Sequence, residues 1–270
     1  MTGDLTVRRY GAGGPEVVVL HGGPAARGNA APIAEGLADR FRVLEPLQRG
    51  SGGQPLTVRR HIRDLYEVVT SCTGGRPALV GESWGAMLAL AYAAEHPGNA
   101  GPVVLVGCGT FDTASRRELK RRLDRRVDAK TRAELERLEA AELTPGERLR
   151  RQYRLLLPLY SCDPVPGAEA AGPGPGFDMQ AHRETWSDME RLQKQGVYPA
   201  AFAAIRSPVL MIHGDCDPHP GRQTFETLRR TLPHLEYCEL HHCGHSPWTE
   251  RRAREPFFEQ LRSWLVRACR

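Results

Sequence analysis

PALVGESWGAMLALAYAAEH (77–96) decides how this chain is read. A short apolar run, PALVGES (77–83), has the length and composition of a buried strand. The apolar stretch that follows it, 84–96, is long enough for a helix. Ser83 therefore falls on a tight strand-to-helix turn, between Gly81 and Gly85. Such a turn strains the backbone, needs small neighbours and pushes the serine hydroxyl out at the carboxyl edge of a sheet. The first N–H groups of the helix point to the same spot and favour a negative charge there. A lone G-x-S-x-G is a weak pattern, so the rest of the chain must supply the meaning.

Working outward, short apolar runs alternate with helical patterns. EVVVL (16–20), FRVLEPL (41–47), PVVLVGC (102–108), PVLMIHG (208–214) and LEYCELH (235–241) read as further strands. Residues 29–39, 57–72, 222–231 and 250–268 read as helices. Strands apolar almost throughout are covered on both faces, and strand–helix alternation implies an α/β fold with a mainly parallel, doubly wound sheet. The alternation stops between 112 and 200. Residues 113–142, 146–157 and 178–195 are helical without a strand between them, and SCDPVPGAEAAGPGPG (161–176) is a Pro/Gly-rich loop. The expectation is a core formed by 1–111 and 201–270, with 112–200 as a helical cap.

Composition narrows the classes. A chain of 270 residues, 40% hydrophobic, can bury one large α/β core with an insertion. The start lacks the apolar core of a signal peptide, and no apolar run reaches the roughly 18 residues of a membrane span. A soluble, cytoplasmic protein is expected, with no membrane partner. The seven cysteines are irregularly spaced, which reads as reduced thiols. The net charge is +5, but only Lys120, Lys130 and Lys194 of the 37 basic residues are lysines. In the basic stretch 115–132 acids are interleaved, so it reads as a solvated helix face and no nucleic-acid partner is expected.

A serine hydroxyl needs a base, and in this kind of fold the acid and then the histidine come later in the chain. HGDCDPHPG (213–221) follows one strand and offers Asp215 and Asp217; HHCGHSPW (241–248) follows the last strand and offers three histidines. Asp112, after the strand 102–108, is a third acid, but it suits a helix N-cap. HGGP (21–24) follows the strand 16–20, and its glycines let a backbone N–H approach a substrate oxygen. The N–H of Trp84 would be a second donor, completing an oxyanion hole. HHCGH together with HGDCDPH fits no standard zinc spacing, so no metal and no cofactor are expected.

With HGGP, GESWG, an acid loop and a histidine loop in that order, the sequence resembles the α/β-hydrolase superfamily over nearly its whole length. QRGSG (48–52) and LALAYAAEHP (88–97) make it most similar to the proline iminopeptidase branch. The resemblance implies Ser83 as nucleophile, Asp217 as acid three residues after Gly214, and His245 as base in the G-H motif. It implies the N–H groups of Gly23 and Trp84 as oxyanion donors, with Gly22 as the alternative to Gly23. His21 is then structural, and Arg49 braces the QRGSG loop. The chain departs from the branch pattern at Ala25, Leu47 and Glu82. Glu82, beside the nucleophile, is a candidate for shaping the pocket or binding a cationic group. Glu184 and Glu190, flanking Trp186, are candidates for holding a substrate amine. The implied activity is hydrolysis of a small ester or amide, with an N-terminal peptidase and a non-catalytic ligand-binding protein as alternatives. The partner would be a small-molecule or short-peptide substrate.

Overall fold

The alternation in the sequence becomes a seven-stranded sheet in the computed structural model, which describes residues 5–167 and 177–269. The chain opens with β1 (Val7–Tyr10) and β2 (Glu16–Leu20), then α1 (Ala31–Leu37), β3 (Arg42–Pro46), α2 (Val58–Cys72), β4 (Ala78–Glu82), α3 (Trp84–Glu95) and β5 (Val103–Val106). Four helices follow without a strand: α4 (Thr113–Arg126), α5 (Ala129–Ala140), α6 (Pro145–Leu156) and α7 (Met179–Lys194). The sheet resumes with β6 (Val209–Gly214), α8 (Gly221–Leu228), β7 (Leu235–Leu240) and α9 (Arg254–Ala268). The strand order is β1-β3-β2-β4-β5-β6-β7. β2 through β7 pair in parallel, and β1 runs antiparallel to β3.

Both sheet faces are covered, as the apolar strands demand. Val18, Leu44, Leu79, Val103, Leu105 and Met211 pack with α2 and α3 on one face. Val17, Val19, Val43, Val80, Val104 and Ile212 pack with α1 and α9 on the other. The period of two along each strand thus feeds two separate cores. α3 is buried at ten of its twelve positions, which explains why it is apolar all round instead of striped.

Two elements differ from expectation. β1 was not foreseen; its VRRY places Arg8 and Arg9 on an edge strand, where charges discourage pairing with another chain. The helical stretch 113–142 is two helices, because Asp128 caps α5 by accepting the Thr131 N–H at 2.7 Å. The Pro/Gly stretch 161–176 lies mostly outside the described residues; its start pairs Pro164 with Glu250 in an isolated bridge. Among the described residues no helix is long and apolar enough to cross a membrane.

Candidate active site

Ser83 joins β4 to α3 with φ +54° and ψ −113°, a region that L-residues rarely occupy. Its N–H donates to Val106 O on β5 at 2.8 Å, which pins the turn to the sheet. The flanking glycines are steric requirements. A Cβ on Gly81 would lie 2.2 Å from Gly85 O, and one on Gly85 would lie 2.2 Å from Leu20 O. Among the described residues the Ser83 hydroxyl has no hydrogen-bond partner, a loose geometry common before substrate binds.

Asp217 is fully buried in the turn after β6 and gathers three imidazoles. Its Oδ2 lies 2.7 Å from His245 Nδ1 and 3.2 Å from His213 Nε2. Its Oδ1 lies 3.0 Å from His219 Nδ1 and accepts the His219 N–H at 2.8 Å. Burial opposes the Asp217 charge, but the three rings outweigh it and hold the carboxyl well below its usual range. Burial likewise opposes the charged form of His245; Asp217 and then Glu82 outweigh it and lift the ring to about 9. Burial keeps His213 and His219 below the ordinary histidine value. His219 stacks on His245 with ring centres 4.6 Å apart, and Tyr160 meets His245 edge-on at 5.6 Å. Ligand-type atoms of Asp217, His219 and His245 lie within 4.8 Å of one another. That closeness is the closeness of hydrogen bonding, since both rings present Nδ1 to the carboxylate.

The other acids sit elsewhere. Asp215 accepts the Cys243 N–H and faces His241 Nδ1, both at 3.2 Å, and so braces the turn between the two loops. Asp112 caps α4 through the Ser115 N–H at 2.7 Å. His241 and His242 are exposed.

The HGGP loop is fixed from below. His21 Nε2 accepts the Gln48 N–H at 3.0 Å, Gln48 Nε2 donates to His21 O, and Trp84 Nε1 donates to Gln48 Oε1, both at 2.8 Å. Burial drives His21 down to about 4, so the ring stays neutral and can accept. Trp84 opens α3, so its N–H is one of the donors that a helix leaves without an internal partner. Arg49 makes a two-bond pair with Asp64, at 2.8 and 2.7 Å, and braces the loop. Glu82 is buried against the Gly22 backbone, with Oε1 3.7 Å from His245 Nε2. Burial raises its carboxyl above the usual range.

Gly23, Ser83, His219 and His245 open on one cavity of about 740 Å³. Trp186 and Glu190 of α7 line it too. Glu184 is not brought there: it accepts the Leu56 N–H at 2.7 Å and ties α7 to the core. Three contributors escaped the sequence reading. His219 was passed over inside HGDCDPHPG. Gly107, at φ +54°, lies under His245, where a Cβ would come within 3.0 Å of His245 Nδ1. Glu250, fully buried, accepts N–H groups from Cys162, Asp163 and Gly244 and so fixes the histidine loop. A glycine just past β5 was the available signal for Gly107; Glu250 offered none, being one acid among many.

The family model described as alpha/beta hydrolase fold matches residues 15–250. The chain is 26% identical over 252 residues to the pimeloyl-[acyl-carrier protein] methyl ester esterase of Nitrosomonas europaea, covering 87% of this chain and 90% of that protein. It is 24% identical over 276 residues to the proline iminopeptidase of Lactobacillus crispatus, covering 92% and 89%. Among solved structures, the 2-hydroxy-6-oxo-6-phenylhexa-2,4-dienoate hydrolase of Rhodococcus sp. strain RHA1 superposes with a TM-score of 0.69 at 22% identity, covering 97% of this chain and 99% of that one.

Proposed function

The chain belongs to the α/β-hydrolase fold family as an esterase- or peptidase-type hydrolase, and from that premise we propose that it cleaves a small ester or amide through an acyl-enzyme on Ser83. The observation that carries this reading is the 2.7 Å contact of His245 Nδ1 with Asp217 Oδ2, in a cavity onto which both Ser83 and His245 open.

In the proposed reaction His245 Nε2 takes the Ser83 proton as the hydroxyl oxygen attacks the carbonyl carbon. Asp217 holds the Nδ1–H tautomer and stabilises the imidazolium that forms. The N–H groups of Gly23 and Trp84 hold the oxyanion. His245 then protonates the leaving group, and water attacks the acyl-enzyme by the same route in reverse. A serine at this turn separates the chain from relatives of the fold that use an aspartate nucleophile. In this reading α4 to α7 form a lid over the cavity, residues 112–200 being the cap and the remainder the hydrolase core.

The two relatives matched by sequence are a methyl ester esterase and a proline iminopeptidase, so an ester and a proline amide are tested together. Wild type is expected to hydrolyse short p-nitrophenyl esters and to take a fluorophosphonate label on Ser83. Ser83→Ala should lose both while keeping its circular dichroism spectrum. Turnover of proline p-nitroanilide by wild type would select the peptidase alternative; neither turnover nor label would select a ligand-binding protein.

A further inference from the structure

We propose that the cavity beside Ser83 takes an acyl substrate carrying an oxyanion at the end remote from its scissile carbonyl. The inference deepens the reading of Ser83 as nucleophile and rests on it. Three guanidinium groups line the cavity: Arg116 from α4, Arg148 from α6 and Arg183 from α7. Arg116 donates to the neutral amide of Gln193. Arg148 donates to the carbonyls of Leu138 and Ala141 at 3.1 and 3.0 Å. Arg183 is exposed at the cavity wall and makes no hydrogen bond or ion pair among the described residues. None of the three is in an ion pair among the described residues, whereas Arg122, Arg137 and Arg191 pair with Glu118, Glu134 and Asp188 and Arg117, Arg125, Arg150 and Arg154 do not pair either.

What sets these three apart from the other arginines of the insertion is that they line the same cavity as Ser83. The one carboxylate on the wall, Glu190, lies 3.8 Å from Lys194. The remaining titratable groups of the wall do not offset the charge. Burial drives His182 to about 4 and His219 downward, and it raises Tyr153 to about 12 and lifts Tyr160 as well, while His245, lifted to about 9 beside Asp217, adds no negative charge. Unpaired like charges around one space repel, and an oxyanion accepting paired N–H bonds from guanidinium groups relieves that repulsion. Leu119, Leu149 and Trp186 give the same cavity apolar wall for a spacer. A free substrate amine would meet the opposite field, which turns the site away from N-terminal peptides.

The test uses p-nitrophenyl esters of one chain length ending in methyl, carboxylate, phosphate or ammonium. The carboxylate or phosphate ester should exceed the methyl ester in kcat/KM by about tenfold at low ionic strength, with the ammonium ester slowest. Comparing the two anions tells which oxyanion is preferred. Arg183→Gln should cut the anionic-to-neutral ratio severalfold, mainly through KM, and Arg183→Lys should restore part of it. Equal rates for all termini, or a ratio unmoved by glutamine at each of the three arginines, overturns the proposal. A fluorophosphonate label on Ser83 with equal rates overturns only the charge assignment. If no ester turns over and no label forms, the nucleophile reading falls. Titration with octanedioate against octanoate then decides the guanidinium cluster alone: equal affinities overturn it, and tighter octanedioate binding supports it.

A separate observation concerns sulfur. We infer that Cys162 and Cys216 form a reversible disulfide. Their Sγ atoms are 2.6 Å apart, and Cys162 is exposed. Their backbones are tied independently of the thiols. Arg126 donates to Leu159 O and to Cys216 O, both at 2.5 Å, and Glu250 accepts the Cys162 N–H at 2.9 Å. One thiolate attacks a low-molecular-weight disulfide such as oxidised glutathione and releases one thiol; the second thiolate then displaces the other. One S–S bond forms and one breaks, with two electrons and two protons passing to the small disulfide. Because Cys216 precedes Asp217, the bond latches the acid loop to the segment before Asp163. After incubation with oxidised glutathione, a non-reducing peptide map should show a Cys162–Cys216 link that dithiothreitol removes and Cys162→Ser lacks. Only glutathione adducts, or no modification, overturns the inference.

Discussion

Glu82 is one of the three places where the chain departs from the branch pattern, and its position beside His245 makes it a tuning charge for the proposed base. The base must be neutral to accept the Ser83 proton. A ring lifted to about 9 places the rising limb of the pH–kcat/KM profile well above the ordinary histidine range. Removing the Glu82 charge removes one of the terms that favour imidazolium, so in Glu82→Gln the limb should move to lower pH and activity at pH 7 should rise. A limb that stays put, or moves up, would show that Glu82 does not act on His245. The two aspartates are separated by the same logic. Asp217→Asn should lower kcat by about four orders of magnitude, since the tautomer is lost. Asp215→Asn takes the charge from a side chain that braces the turn and should cost less than about tenfold. Equal losses would undo the assignment of the acid. Ala25 shows what a residue type alone conceals: it holds φ +76°, the left-handed region that favours glycine.

Elements carry the parts of the site that no motif announces. The central strands and flanking helices were legible because apolar runs of strand length alternate with helical ones, and burial on both faces writes that pattern strongly. β1 was not legible, because VRRY is a half-buried edge strand with a weak alternation and only β3 for a partner. The break between α4 and α5 was written in Asp128, but a capping aspartate within a run of charges looks like one more charge. Glu184 and Asp188 on α7 and Asp178 at its N-cap were legible as acids, yet their partners are backbone N–H groups more than a hundred residues away. The Glu250 carboxylate is the clearest case. It receives three N–H groups that link the histidine loop to residues 162–163. Glu250→Ala leaves those donors without their acceptor and should destabilise the protein by about 3 kcal/mol in chemical denaturation. Its kcat should fall as His245 loses its support. A change under about 0.5 kcal/mol would mean that the loop holds itself.

Across the whole molecule, the gathering of Ser83, Asp217 and His245 was legible because each candidate follows a strand, and parallel strands deliver their ends to one edge. The inner lining of the cavity was not, because it comes from α4, α6 and α7, whose packing against the sheet no local spacing encodes. The α7 segment is tied to the core by three carboxylates that accept backbone N–H groups: Asp178 from Ser51 at 2.6 Å, Glu184 from Leu56 at 2.7 Å and Asp188 from Val58 at 2.8 Å. A carboxylate on a backbone N–H is a charge-assisted bond, and all three lie on one contact line between α7 and residues 51–58. Replacing them together by Asn, Gln and Asn keeps the shapes and removes the charges. Amide exchange at 51–58 should then quicken by about tenfold or more, while the amides of β4 and β5 keep their protection. KM for a short ester should shift more than kcat, because the lining moves and the proposed acid–base pair does not. Exchange that quickens equally throughout the sheet would mean that these helices and the core unfold as one unit, and the lid reading of residues 112–200 would have to be given up.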